Sequence, residues 1–104
     1  MSQKQIGYYP YVLQVIPGEN RSLYVYFDDG TVRLYNIKDQ IEFESVFAPL
    51  KDDAFFREHL TVINGAVAWD VTGDRDEYKC IDLDPIVIYR TAKIVPDPLE
   101  KEKV

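Results

Sequence analysis

The chain has 104 residues, 46% of them hydrophobic and 29% charged, with one Cys and one Trp, which is enough for one small domain and too short for two. Twelve Lys and Arg against eighteen Asp and Glu leave a net charge of −6, a field that repels a nucleic-acid backbone. One thiol excludes an internal disulfide and a multi-thiolate zinc site, and no apolar run approaches the roughly 20 residues of a membrane span. Met1-Ser2-Gln3-Lys4-Gln5 lacks the apolar stretch of a signal peptide, so a cytoplasmic protein without a membrane partner is expected.

Tyr11 to Ile16 is rich in β-branched and aromatic residues and is stopped by Pro17-Gly18, which predicts a strand and a turn. Ser22 to Phe27 and Thr31 to Ile37 are the next two strands, joined at Asp28-Asp29-Gly30. Asp-Gly between alternating runs is a strong hairpin signal, because Gly accepts positive φ. Asp39 to Glu44 reads as a short helical turn, and Phe47-Ala48-Pro49-Leu50 as a rigid apolar link. Asp52 or Asp53 caps a helix running to about His59, with Ala54, Phe55 and Phe56 on its buried side. Leu60 to Ile63 and Ala66 to Val71 flank Asn64-Gly65 as a second hairpin. Thr72 to Lys79 is an acidic excursion; Asp84-Pro85 then opens the last helix, Asp as cap and Pro at the first helical position.

This order predicts an α+β fold: a small two-layer domain with a mainly antiparallel sheet, built from two hairpins and an N-terminal strand, and two to three short helices. Residues 8–93 form the domain, with 1–7 and 96–104 as loosely ordered ends. Alternation places Leu23, Val25 and Phe27 with Val32 and Leu34 on the core face of the first hairpin. Tyr24, Tyr26, Arg33 and Tyr35 then share the other face, and they are the candidate partner-binding residues, since Tyr enriches at interfaces.

Five segments in sequence, F-D-D-G-T-V-R-L-Y (Phe27 to Tyr35), V-F-A-P-L-K-D (Val46 to Asp52), A-F-F (Ala54 to Phe56), N-G-A-V-A-W-D (Asn64 to Asp70) and I-D-L-D-P-I-V-I-Y (Ile81 to Tyr89), resemble the small bacterial family catalogued as domain of unknown function twenty-four forty-two. The resemblance spans Tyr11 to Tyr89, and the stretch Val71 to Cys80 is longer than in many members. It implies a compact α+β domain without established catalytic residues, and an antitoxin-like or regulatory role.

Three constellations bear on chemistry. His59, the only His, falls at a helix end, where imidazole complements the dipole; a triad would need partners the sequence does not offer. Cys80 has only Lys79 beside it and reads as an inert, half-buried thiol. Asp70, Asp74, Asp76, Glu77, Asp82 and Asp84 form an oxygen-rich stretch of the kind hard cations take, but it fails the EF-hand spacing, and Asp84 serves as a cap. No Gly-rich phosphate loop is present.

The expected function is therefore a non-enzymatic interaction domain without a cofactor, binding a protein partner or a second copy of itself. The alternatives are a metal- or small-ligand-binding enzyme using residues 70–84, and an accessory regulator that stacks bases on the tyrosines beside Arg33, which the net charge disfavours.

Overall fold

The computed structural model describes residues 9–72 and 80–99. Its elements are β1 (Val12–Pro17), β2 (Ser22–Phe27), β3 (Val32–Asn36), α1 (Lys38–Phe43), a 3₁₀ segment (Ser45–Lys51), α2 (Asp53–Glu58), β4 (Leu60–Ile63), β5 (Ala66–Trp69), β6 (Ile81–Asp82), α3 (Pro85–Thr91) and β7 (Lys93–Val95). The class is α+β, and every strand pair among the described residues is antiparallel. The two hairpins build separate sheets: one of four strands in the order β1-β2-β3-β7, the other of three in the order β4-β5-β6. A backbone hydrogen bond joins them, from Val12 N–H to the Gly65 carbonyl at 2.9 Å.

Helix ends follow local chemistry. The Asp52 carboxylate accepts from Ala54 N–H at 3.0 Å, and Asp84 accepts from Ile86 N–H at 2.9 Å with Pro85 at the helix start. The apolar link around Pro49 is a 3₁₀ turn. Its three-residue period puts Phe47 and Leu50 inward and leaves Ala48 and Pro49 exposed. In α2, Phe56 is fully buried and Phe55 half-buried, but Ala54, expected on the buried side, is exposed.

One hydrophobic cluster fills the space between sheets and helices, drawing on Val12, Leu23, Val25 and Phe27 from the first sheet, Val67 and Trp69 from the second, and Ile41, Leu50, Phe56 and Ile88 from the helical segments. Trp69 is wholly buried, and its indole N–H donates to the Phe56 carbonyl at 2.9 Å. Burying an indole without that partner would cost desolvation of the N–H.

The sequence predicts no strand after the last helix, yet β7 pairs with β3 through Val32–Val95, Arg33–Ile94 and Leu34–Lys93. Three residues are too few to display a period. Within the expected loose C-terminal end, Asp97 is held to the sheet: the Tyr26 hydroxyl donates to Asp97 Oδ1 at 2.6 Å, an oxygen that also accepts from Leu99 N–H at 2.8 Å within the same turn. The expected loose residues 1–7, and most of the acidic excursion (73–79), lie outside the described residues.

The face assignment of the first hairpin is overturned. Its cross-strand partners are Leu23–Tyr35, Tyr24–Leu34, Val25–Arg33 and Tyr26–Val32, and directly opposed residues share a face. Arg33 and Tyr35 therefore lie on the core face with Leu23 and Val25, while Val32 and Leu34 lie outside with Tyr24 and Tyr26. The cause is the loop. Gly30 N–H donates to the Phe27 carbonyl at 3.1 Å, Phe27 N–H donates to the Thr31 carbonyl at 3.0 Å, and Gly30 has φ 91°. This is a three-residue loop with a glycine bulge, and relative to a two-residue turn it flips every side chain of β3.

Candidate functional site

The four predicted partner-binding residues do not form one surface. Arg33 is only 9% exposed. A buried guanidinium needs partners for its donors, and α3 and the hairpin loop supply them: Nη1–H donates to the Tyr89 carbonyl at 2.9 Å and Nε–H to Thr31 Oγ1 at 3.2 Å. The guanidinium carbon stands 3.8 Å from the centroid of the Tyr89 ring, and this stacking is closer than its 4.0 Å approach to Asp29. Asp29 in turn accepts from Thr31 N–H and Oγ1–H at 2.9 and 2.7 Å and from the Tyr89 hydroxyl at 2.7 Å. Burial opposes its ionisation, but these hydrogen bonds and the Arg33 charge outweigh it and hold the carboxyl below its ordinary range. Donation to Asp29 holds the Tyr89 proton, with burial and the Asp29 charge adding to the effect, so that hydroxyl titrates above its usual value. This network fastens the loop to α3. Sequence spacing could not reveal it, because Asp29 and Tyr89 are 60 residues apart.

Tyr35 packs against the core cluster, and its hydroxyl donates to Gln40 Oε1 at 2.6 Å. Burial raises its pKa, and the Gln40 hydrogen bond opposes the rise.

Tyr24 and Tyr26 do face outward, and the register gives them new neighbours. One row across the sheet reads Ile16, Tyr24, Leu34, Lys93 and the next Gln14, Tyr26, Val32, Val95. None of these side chains belongs to the core cluster, which takes the buried residues of all the helical segments. Ile16, Tyr24 and Leu34 are half-buried on this outer face. The second row is roofed in part by the segment after β7: Val32 is 7% exposed, and a cleft of about 550 Å³ runs between Leu13, Gln14, Tyr26, Val95 and Asp97. Tyr24 packs its ring edge near Gly18, where a Cβ would come within 3.2 Å of it. Ile16, Leu34 and Val95 escape sequence reasoning because each is apolar and reads as core. The loop length carries the missing signal.

The other constellations are placed as follows. The ring of His59 stacks on Phe55 with centroids 4.2 Å apart, and Nδ1 lies 2.8 Å from the Asp70 carbonyl, so Nδ1 carries the proton and donates. Cys80 is half-buried. Of the acidic stretch, Asp82 is exposed and Asp84 is engaged as the α3 cap, while Asp74, Asp76 and Glu77 lie outside the described residues. Among the described residues, no three His, Cys, Asp or Glu side chains come together as a metal site. No described helix is long and apolar enough to cross a membrane. In comparisons with known proteins, no family model, curated protein or solved structure matches the chain.

Proposed function

We propose that the chain is a non-enzymatic protein-interaction domain that receives a protein partner on the outer face of its four-stranded sheet, with Tyr24, Tyr26, Ile16 and Leu34 as the contact residues. The observation carrying this reading is the apolar row Ile16, Tyr24, Leu34, which lies outside the core cluster on a face that, among the described residues, no helical segment's buried residue reaches. Amphipathic tyrosines flanked by aliphatic side chains are the composition of interface anchors. Arg33 and Tyr35 leave the contact set, since their side chains are committed to the Tyr89 and Gln40 contacts.

The partner is a different protein with basic groups around an apolar patch. A net charge of −6 steers such a surface in and opposes a second copy carrying the same charge. The antitoxin-like or regulatory role implied by the family resemblance is one form this partnership would take. The metal-dependent and nucleic-acid readings gain no comparable support, as Asp84 is occupied by Ile86 N–H and Arg33 by Tyr89.

The test is the paired variant Tyr24→Ser with Leu34→Ser. Cooperative melting is expected to persist, and the affinity for a partner co-purified from the native host and then prepared pure is expected to fall by about 2 kcal/mol or more for each anchor. Unchanged affinity overturns the reading. Sedimentation of the wild type alone separates a foreign partner from a second copy.

A further inference from the structure

A separate cleft opens where the β1–β2 turn meets α1 and the end of the 3₁₀ segment. It has a volume of about 450 Å³ and is lined by Asn20, Arg21, Lys38, Ile41, Glu42 and Lys51, a size in the range of small-ligand sites. Three cations and one acid surround it, in a chain whose net charge is −6.

Its wall is fixed. Asn20 and Arg21 both sit in the left-handed region, with φ 54° and 62°, a conformation that non-glycine residues keep only when their surroundings impose it. Arg21 supplies that constraint: Nε–H donates to the Leu50 carbonyl at 2.9 Å, Nη2–H to the Lys51 carbonyl at 2.8 Å, and Nη1–H to Asp53 Oδ1 at 2.8 Å. Ile37 N–H donates to the Arg21 carbonyl at 3.1 Å. The same contacts fasten the end of the 3₁₀ segment, and with it Lys51, to the turn. Lys38, Ile41 and Glu42 share one side of α1 through their three- and four-residue spacing, and Ile41 is a buried apolar floor.

The two lysines are the unspent groups. Among the described residues neither the Lys38 nor the Lys51 ammonium has a hydrogen-bond or ion-pair partner, and neither does the Glu42 carboxylate. Lys38 precedes Glu42 on the helix, the weaker order for a pair at this spacing. Both lysines line the one cleft, with Arg21, itself paired with Asp53, held rigid behind them.

We propose that this cleft binds the terminal phosphate of a small soluble phosphate ester. Lys38 and Lys51 close on the dianion from two sides, Arg21, paired with Asp53, holds the wall in place, and the carbon part of the ester lies over Ile41. A dianion is favoured over a carboxylate because lysines act as separate point charges, while the Arg21 fork that would clasp a planar carboxylate is already engaged. A terminal phosphate is favoured over a polyanion because a nucleic-acid backbone needs a continuous basic track, and the surrounding charge is negative. This site is independent of the outer sheet face.

Amide-resolved NMR titrations of the full chain at constant ionic strength test it, with inorganic pyrophosphate and glycerol 3-phosphate as probes. Saturable shifts are expected around Asn20, Arg21, Lys38, Ile41 and Lys51. Affinity should fall about tenfold in Lys38→Gln and in Lys51→Gln, each removing one charge-assisted contact, and stay unchanged in Lys93→Gln on the outer face. Linear, non-saturating shifts, or equal affinity in the Lys38→Gln, Lys51→Gln double variant, would overturn the proposal. So would binding only to a single-stranded oligonucleotide lacking a terminal phosphate, or only to vesicles carrying phosphatidate, while pyrophosphate and glycerol 3-phosphate leave these amides unmoved.

Discussion

The two hairpins carry similar turn signals, Asp29-Gly30 and Asn64-Gly65, and close in different ways. Asn64 and Gly65 both take positive φ, 51° and 74°, and join Ile63 directly to its partner Ala66. In the first hairpin only Gly30 is left-handed, and the turn needs Asp28, Asp29 and Gly30 together. One added residue decides which side of the strand meets the core. It turns Val32 and Leu34 out and brings Arg33 in. Each hairpin consequently has its own anchor: a fully buried indole at Trp69 in the second, and a stacked, hydrogen-bonded guanidinium at Arg33 in the first.

Truncating both anchors breaks the comparison most strongly. Trp69→Ala empties the largest fully buried side chain and should cost about 3–5 kcal/mol. Arg33→Met keeps the aliphatic stem but leaves the Tyr89 carbonyl without its donor, which should cost about 1–3 kcal/mol. Urea unfolding followed by far-ultraviolet circular dichroism measures both, and native tryptophan emission is expected to be blue-shifted before any denaturant is added. If Arg33→Met were neutral and left Tyr89 ordered, Arg33 would be a solvated surface residue and the three-residue register would be wrong.

The sequence made the turn of one hairpin legible and the other hairpin only in outline. Asn64-Gly65 specifies a two-residue turn, so the turn and its two flanking strands were readable, although the second strand ends at Trp69 rather than Val71 and its pairing with Ile81–Asp82 was not foreseen. The Asp52 and Asp84 caps were readable too, since their effect is confined to neighbouring amides. The first hairpin was legible as a hairpin, but its register depended on whether Asp28 belongs to strand or loop, and alternation in Leu23 to Phe27 is compatible with either. The outer face inherits that ambiguity: Tyr24 and Tyr26 were placed on it, while Leu34 was placed on the core face and Ile16 on neither, because the outer face is itself apolar. β7 and the Asp29–Tyr89 contact depend on chain return over tens of residues, for which a local pattern holds no information.

The turn glycines sharpen the comparison at a smaller scale. A Cβ on Gly30 would meet nothing within 4 Å, so Gly30→Ala costs only the left-handed conformation, about 1–2 kcal/mol. A Cβ on Gly65 would lie 2.5 Å from two ring atoms of Tyr11. Gly65→Ala should therefore exceed Gly30→Ala and also strain the Val12–Gly65 bond between the sheets. In a Tyr11→Ala background the excess should vanish, leaving the two glycine substitutions about equal, and a double-mutant cycle reads this directly. An excess that survives removal of the ring would place the strain in the backbone instead.

The smallest effect separates the loops by pH. The folded carboxyl of Asp29 titrates below its unfolded value of about 3.9. Its stabilisation is thus complete above that value and is lost as pH falls through the depressed folded value. Tyr89 has the opposite sign: its folded hydroxyl titrates above the unfolded value of about 10, so its contribution is complete below that value and lost as pH rises through the raised one. The 2.7 Å contact from the Tyr89 hydroxyl to Asp29 Oδ2 therefore links the first hairpin to protons at both ends of the scale, sharing the acid end with the Thr31 hydrogen bonds and the Arg33 charge. Melting temperatures recorded from acid to alkali for the wild type, Asp29→Asn and Tyr89→Phe should show a shallower acid decline in the first variant and a shallower alkaline decline in the second. Tyr89→Phe should also soften the acid limb, since it removes one of the donors that lower the Asp29 pKa. Acid limbs that coincide in all three proteins would show that Asp29 is solvated and that Arg33, not the carboxylate, fastens the loop to α3.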